Sequence, residues 1–129
     1  MAQDYDAASI IEATMSGYDE TWQLATLAFP GGTFSICHDR LQQGQKVRLR
    51  ILARDVSLTL HKQHETSILN ILPAQVEQLL EQNAAQVMVR LKIGDASLLA
   101  RVTRKSAAAL DLVPGKAVFA QVKSVALLG

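Results

Sequence analysis

PGKAVFAQVKSVALL, running from Pro114 to Leu128, decides how the rest of the chain is read. A Pro-Gly turn opens it. Val118, Ala120 and Val122 then alternate with Phe119 and Gln121, the period-two pattern of a strand with two unlike faces. A polar pair, Lys123-Ser124, interrupts the pattern before a closing apolar run. An earlier stretch, GQKVRLRILARDVSLTL from Gly44 to Leu60, has the same plan. A glycine turn leads into an alternating strand through Val47, Leu49 and Ile51, then the polar pair Arg54-Asp55, then Val56 and Leu58. In both stretches a valine stands three residues after the glycine and a β-branched residue seven after it, and the later copy is two residues shorter before its polar pair. Such internal repetition means one module written twice.

The whole chain bounds what these modules do. Its 129 residues hold one ordinary domain or two small ones. A hydrophobic fraction of 49% with 19% charged residues indicates a packed core and not disorder. A formal net charge of +1 gives no general electrostatic case for nucleic acid or an acidic membrane. Cys37 is the sole cysteine, so no internal disulfide forms, which suits a reducing cytosol. No apolar run approaches the roughly 20 residues of a membrane span. The start, MAQDYDAASI, lacks the charged-then-apolar order of a signal peptide and reads as the cut end of something longer.

In chain order, Met1 to Ala7 is expected to be frayed. Strands are expected over Ser9–Met15, Thr21–Phe29 and Thr33–Cys37, with turn chemistry at Ser16–Glu20 and a hairpin at Pro30-Gly31-Gly32. His38 to Gln43 allows at most one helical turn before the strand Lys46–Ala53, whose Lys46, Arg48 and Arg50 form a wet face. The polar stretch His61–Glu65 links the halves. In the second half, strands are expected over Ile71–Leu80, started or interrupted by Pro73, then Gln86–Ile93 and Ser97–Val102, the last two joined by a tight Gly94-Asp95 turn. Thr103 is placed to cap a short alanine-rich helix, Arg104 to Leu110. About five short strands in each half predict an all-β chain of two small barrels of the oligonucleotide/oligosaccharide-binding type, residues 1–62 and 63–129, with one short helix in the second.

Few residues offer chemistry. No glycine-rich loop ends in Gly-Lys-Ser/Thr, so nucleotide hydrolysis is not encoded here. His61 and His64 stand three apart in a polar linker with no further metal ligands clustered nearby, and read as solvated. Cys37 beside His38 reads as a buried structural cysteine, since neighbouring strand residues face opposite sides. Nucleic-acid binding wants aromatic platforms, and Phe, Trp and Tyr make up only 5% of the chain; the Lys46, Arg48, Arg50 and Arg54 face reads as a solvated surface paired with acids. Ser67, Thr103, Ser106, Lys123 and Ser124 fit a different chemistry. They are hydroxyls and one cation placed at strand ends and a helix start, the donor set a tetrahedral oxyanion requires. On composition alone, though, Ser and Thr at strand ends are usually turn or capping residues.

Three runs, SILNILPAQV (67–76), VTRKSAAALDLVPGKAV (102–118) and AQVKSVAL (120–127), occur in the order found in the molybdenum-binding-protein (Mop) domain, which the second half resembles. The family pattern is a Ser-Ala/Ile-Arg-Asn start, a Thr-x-x-Ser before a short helix ending in Leu-x-Leu, and a final Lys-Ala/Ser-x-Val strand. The first half, through KVRLRILARDVSL (46–58), is similar to the segment preceding this domain in ATP-binding subunits of bacterial molybdate importers.

The resemblance implies a site for molybdate or tungstate, without an organic cofactor, at the interface of a homodimer. Its donors would be Ser67, Lys123, Ser124 and the Thr103/Ser106 region. Asn70 would be structural, its side chain closing the turn into the next strand. One departure stands out: Leu69 occupies the place of the motif arginine. The resemblance further implies a regulatory, non-catalytic C-terminal part of a transporter subunit. Its partners would be an upstream ATPase domain and membrane subunits, at the cytoplasmic face of the membrane, with neither nucleic acid bound nor any insertion into the membrane. Alternatives are a dimerisation module that binds nothing and a cytosolic molybdate-storage protein.

Overall fold

The computed structural model describes residues 7–128. Ten strands and one short helix follow in order: β1 (Ala8–Asp19), β2 (Leu24–Phe29), β3 (Gly32–Ile36), β4 (Lys46–Leu52), β5 (Val56–Thr59), β6 (Asn70–Glu81), β7 (Gln86–Ile93), β8 (Ala96–Thr103), α1 (Arg104–Ala109), β9 (Ala117–Val122) and β10 (Ala126–Leu128). A single 3-10 turn, Ala53–Asp55, joins β4 to β5. The expected all-β class, with one short helix in the second half, is the observed one.

The strands form two five-stranded sheets, ordered β10-β4-β1-β2-β3 and β5-β9-β6-β7-β8. The second order is the first with every strand replaced by its counterpart in the other half, so the repeat legible in the sequence is a repeat of topology. Each half gives its last strand away. β5 leaves the first half to pair with β9, and β10 leaves the second half to pair with β4. Four strands from one half and one from the other therefore make each sheet.

Alternation sets the faces. Ile11, Ala13 and Met15 of β1, Val47, Leu49 and Ile51 of β4, Leu72, Ala74 and Val76 of β6, and Val118, Ala120 and Val122 of β9 all point into one continuous core. Phe34 lies at its centre, fully buried and stacked on Phe29 with ring centroids 5.3 Å apart. The glycines that open the two repeated stretches share a left-handed backbone, φ 84° at Gly44 and 94° at Gly115. At the two-residue turns of the β2–β3 and β7–β8 hairpins the chain passes against itself, and a β-carbon on Gly31 would lie 2.5 Å from the Ile93 carbonyl oxygen.

Several boundaries differ from expectation for local reasons. β1 continues to Asp19 because a bulge at Ser16, between Met15 and Gly17, absorbs what reads as a turn. The turn falls later, where the Asp19 carboxylate accepts from the Thr21 and Trp22 amides at 2.9 and 3.2 Å. Trp22 thus lies on an exposed turn and not in β2. Pro73 neither starts nor breaks β6. Val76 donates its N–H to Lys116 on the β9 side, so position 73, of opposite parity, directs its nitrogen away from β9, where β7 has not yet begun to pair. The expected fraying of Met1 to Ala7 falls largely on residues 1–6, outside the described ones; Ala7 itself accepts from the Ala53 amide at 2.9 Å. No helical turn forms over His38 to Gln43.

Candidate functional site

Two hydrogen-bonded clasps join the sheets. The Asn70 amide at the start of β6 accepts from Ser35 N–H at 2.7 Å and donates to Ser35 C=O at 3.1 Å, using both backbone groups of a residue on edge strand β3. At the matching position of β1, Ser9 accepts from the Leu99 amide of β8 at 2.9 Å. Asn70 is structural, as expected, but it reaches across to the other sheet and does not close its own turn.

Beside the Asn70 clasp lies a cleft of about 430 Å³, lined by Leu24, Ser35–Cys37, Ser67–Asn70 and Val122–Val125. Ser67, Lys123 and Ser124, three of the residues singled out in the sequence, meet here. Ser67 lies in the linker that leads into β6, and the chain crosses between sheets at Lys123–Val125, so a linker and a crossing bring them together. Lys123 N–H is held by the Asp55 carbonyl at 2.8 Å, which fixes one crossing against the other. The Lys123 ammonium makes no ion pair among the described residues, whose one recorded pair is Arg40–Asp39 at 3.9 Å.

Two larger clefts, about 770 and 700 Å³, mix charges: the first sets Glu12 beside Lys46 and Arg48, the second Glu12 and Asp95 beside Arg90. A carboxylate in the wall repels an anion. The Ser67–Lys123 cleft has no carboxylate, and its one charged residue is a cation. With three serine hydroxyls, an amide and an ammonium, it suits a small, fully oxygenated anion.

Thr103 and Ser106 are not part of this cleft. Thr103 pairs with Gln86, level with the far end of β6 from Asn70. Its hydroxyl accepts from Ser106 N–H at 3.0 Å and donates to the Ser106 hydroxyl at 3.0 Å, capping α1 as its sequence predicts. Cys37 corrects an expectation, since it is exposed and not buried. Phe34 points inward, which puts Ser35 and Cys37 on the outward parity of β3 and into the cleft wall. Sequence reasoning missed this wall altogether, since nothing near Ser35 resembles a site. Leu69, at the place of the motif arginine, lines the cleft and is 63% exposed. His61 and His64 are exposed, and no metal-binding cluster occurs among the described residues. Lys46, Arg48 and Arg50 are exposed on β4, with Arg48 opposite Glu12 of β1.

Residues 66–128 match the TOBE domain, so the second half of the chain belongs to that family. Across nearly its whole length the chain is also related to molybdenum import ATP-binding proteins. It is 47% identical over 127 residues to ModC of Aromatoleum aromaticum, covering 98% of the chain and 34% of that protein. It is 48% identical over 124 residues to ModC 2 of Azotobacter vinelandii, covering 95% of the chain and 35% of that protein. The chain thus spans about a third of the length of these curated relatives. A solved structure of the cytoplasmic molybdate-binding protein ModG, with molybdate bound, shares the fold at a TM-score of 0.76 and 24% identity, over 92% of this chain and 93% of that one.

Proposed function

We propose that this chain is the C-terminal regulatory part of the ATP-binding subunit of a molybdate importer and binds molybdate or tungstate in the Ser67–Lys123 cleft. The observation that carries the reading is the cleft itself: hydroxyls and one ammonium without an ion-pair partner among the described residues, with no carboxylate in the wall. Lys123 supplies the charge, and Ser67 and Ser124 donate hydrogen bonds to the oxyanion. Thr103 and Ser106 lie elsewhere in the same chain, so their part in the site requires a second copy that brings its own α1 end to this cleft. Bound anion then favours one arrangement of two subunits over another and so biases the attached ATPase domains. No ATP chemistry belongs to this stretch itself. The working location is the cytoplasmic face of the membrane, beside the membrane subunits; no helix of the described residues is long and apolar enough to cross a membrane.

Calorimetric titration with molybdate, with sulfate as control and light scattering for mass, tests the reading. Binding to a dimer that is lost in Lys123→Ala is the expected result. A dimer that takes up no molybdate refutes it and leaves a dimerisation module. That second reading has its own support: Leu69 replaces a cation with an exposed apolar side chain at the cleft, suited to a protein contact.

A further inference from the structure

We propose that the wall contributed by the first half, with Ser35 as its hydroxyl donor, is part of the anion site, so that one composite site per chain is built from both halves. This rests on the oxyanion reading of the Ser67–Lys123 cleft and extends it to a segment outside the family motifs.

Three observations converge. Ser35 is held firmly: the Asn70 amide engages both of its backbone groups, and buried Phe34 pins the strand beside it. Ser35 lines the cleft, and its hydroxyl has no hydrogen-bond partner among the described residues, so its backbone is fixed and its hydroxyl unspent. A donor fixed in place loses little freedom on binding and is worth more to a ligand than a mobile one.

The third observation is a comparison within the molecule. The Ser9–Leu99 clasp is the counterpart of the Asn70–Ser35 clasp, because Leu99 follows buried Leu98 as Ser35 follows buried Phe34. Aligning the repeated strands, Leu52 and Ala53 stand where Lys123 and Ser124 stand in the other copy, one and two residues past buried Ile51 and Val122 respectively. At one seam the three positions are Ser35, Lys123 and Ser124; at the other they are Leu99, Leu52 and Ala53. All three positions differ together, as a single ligand shared by them would require. At the second seam these positions carry no polar side chain, and the next cation along the chain, Arg54, stands two residues past Leu52 in a 3-10 turn, so the expected stoichiometry is one anion per chain.

Cys37, exposed at the rim of the same wall, provides a native reporter. The test combines calorimetry with molybdate and the rate of Cys37 alkylation by iodoacetamide, with and without molybdate, on the wild type, Ser35→Ala, Ser35→Thr and Lys123→Ala. The expected result is one molybdate per chain and slowed alkylation when it is bound. Ser35→Ala should weaken binding about tenfold or more, because a hydroxyl donating to an anion makes a charge-assisted hydrogen bond, with the ligand-free unfolding midpoint unchanged and Ser35→Thr close to wild type. If Lys123→Ala abolishes binding while Ser35→Ala binds like wild type and Cys37 is not protected, the anion sits in the cleft without the first half, and the composite site is wrong. Two anions per chain also overturns it. A wild type that binds no molybdate removes the oxyanion reading itself, and this proposal with it.

Discussion

Asn70→Ala tests what holds the two sheets together. The side chain makes two bonds to one residue, accepting at 2.7 Å and donating at 3.1 Å, and Ser35 is partly buried on an edge strand. Each bond contributes about 1 kcal/mol net, and a backbone group left without a partner costs about 1–3 kcal/mol when water cannot reach it. Water reaches a partly buried edge in part, so the lower end applies and the substitution should destabilise by about 2 kcal/mol. For a chain of this length 1 kcal/mol is about 3–5 °C in Tm, giving a fall of about 6–10 °C. Ser9→Ala provides the internal control. It removes one bond of 2.9 Å at the matching position, and should cost about half as much. Urea unfolding followed by circular dichroism measures both, with the slope unchanged if only native contacts are lost. An Asn70→Ala variant within about 0.5 kcal/mol of wild type, or no less stable than Ser9→Ala, would refute the two-bond clasp.

Leu69→Arg restores a cation to a wall that lacks carboxylates, and at a 63% exposed position it should tighten molybdate binding about tenfold by calorimetry, below the full worth of a buried charge-assisted bond. Unchanged affinity would mean that position 69 does not face the anion. Gly31→Ala sets a β-carbon 2.5 Å from the Ile93 carbonyl oxygen and should cost about 2 kcal/mol or more, whereas Gly44→Ala, at φ 84° with open space around it, should cost only about 1 kcal/mol, both measured by chemical unfolding. Thr103→Ala uncaps α1 at a cost of about 1 kcal/mol, and Thr103→Asn, which also caps, should recover most of it.

Much of this was legible because the signals are local. Period-two alternation around Gly44 and Gly115 exposes the repeat, and the Thr103 cap is written in three residues. What failed was whatever depends on a partner distant in sequence. Ser16–Glu20 reads as a turn until β2 is present to take up a bulge. Pro73 reads as a break until β9 and β7 show which side of β6 is unpaired. Cys37 reads as buried from its residue type alone, yet the parity set by Phe34 turns it outward. Within the candidate site, the motif residues Ser67, Lys123 and Ser124 could be named in advance. Ser35 could not, because the bond that places it spans 35 residues.

Strand exchange gives the location of the cleft a further meaning. Lys123-Ser124 is not the end of a module but the point where the chain leaves one sheet for the other, and Arg54-Asp55 lies at the reciprocal crossing. The bond from Lys123 N–H to the Asp55 carbonyl ties the two crossings together. A cut between the halves would take the outermost strand from each sheet and separate Ser35 from Lys123. An anion held by Lys123 and Ser35 would therefore bear on the junction of two sheets and not on the interior of one. Rigid sheets transmit displacement at such a junction because packed cores resist continuous deformation and shift between discrete arrangements. A small ion bound at this position would therefore act on how the two sheets sit against each other.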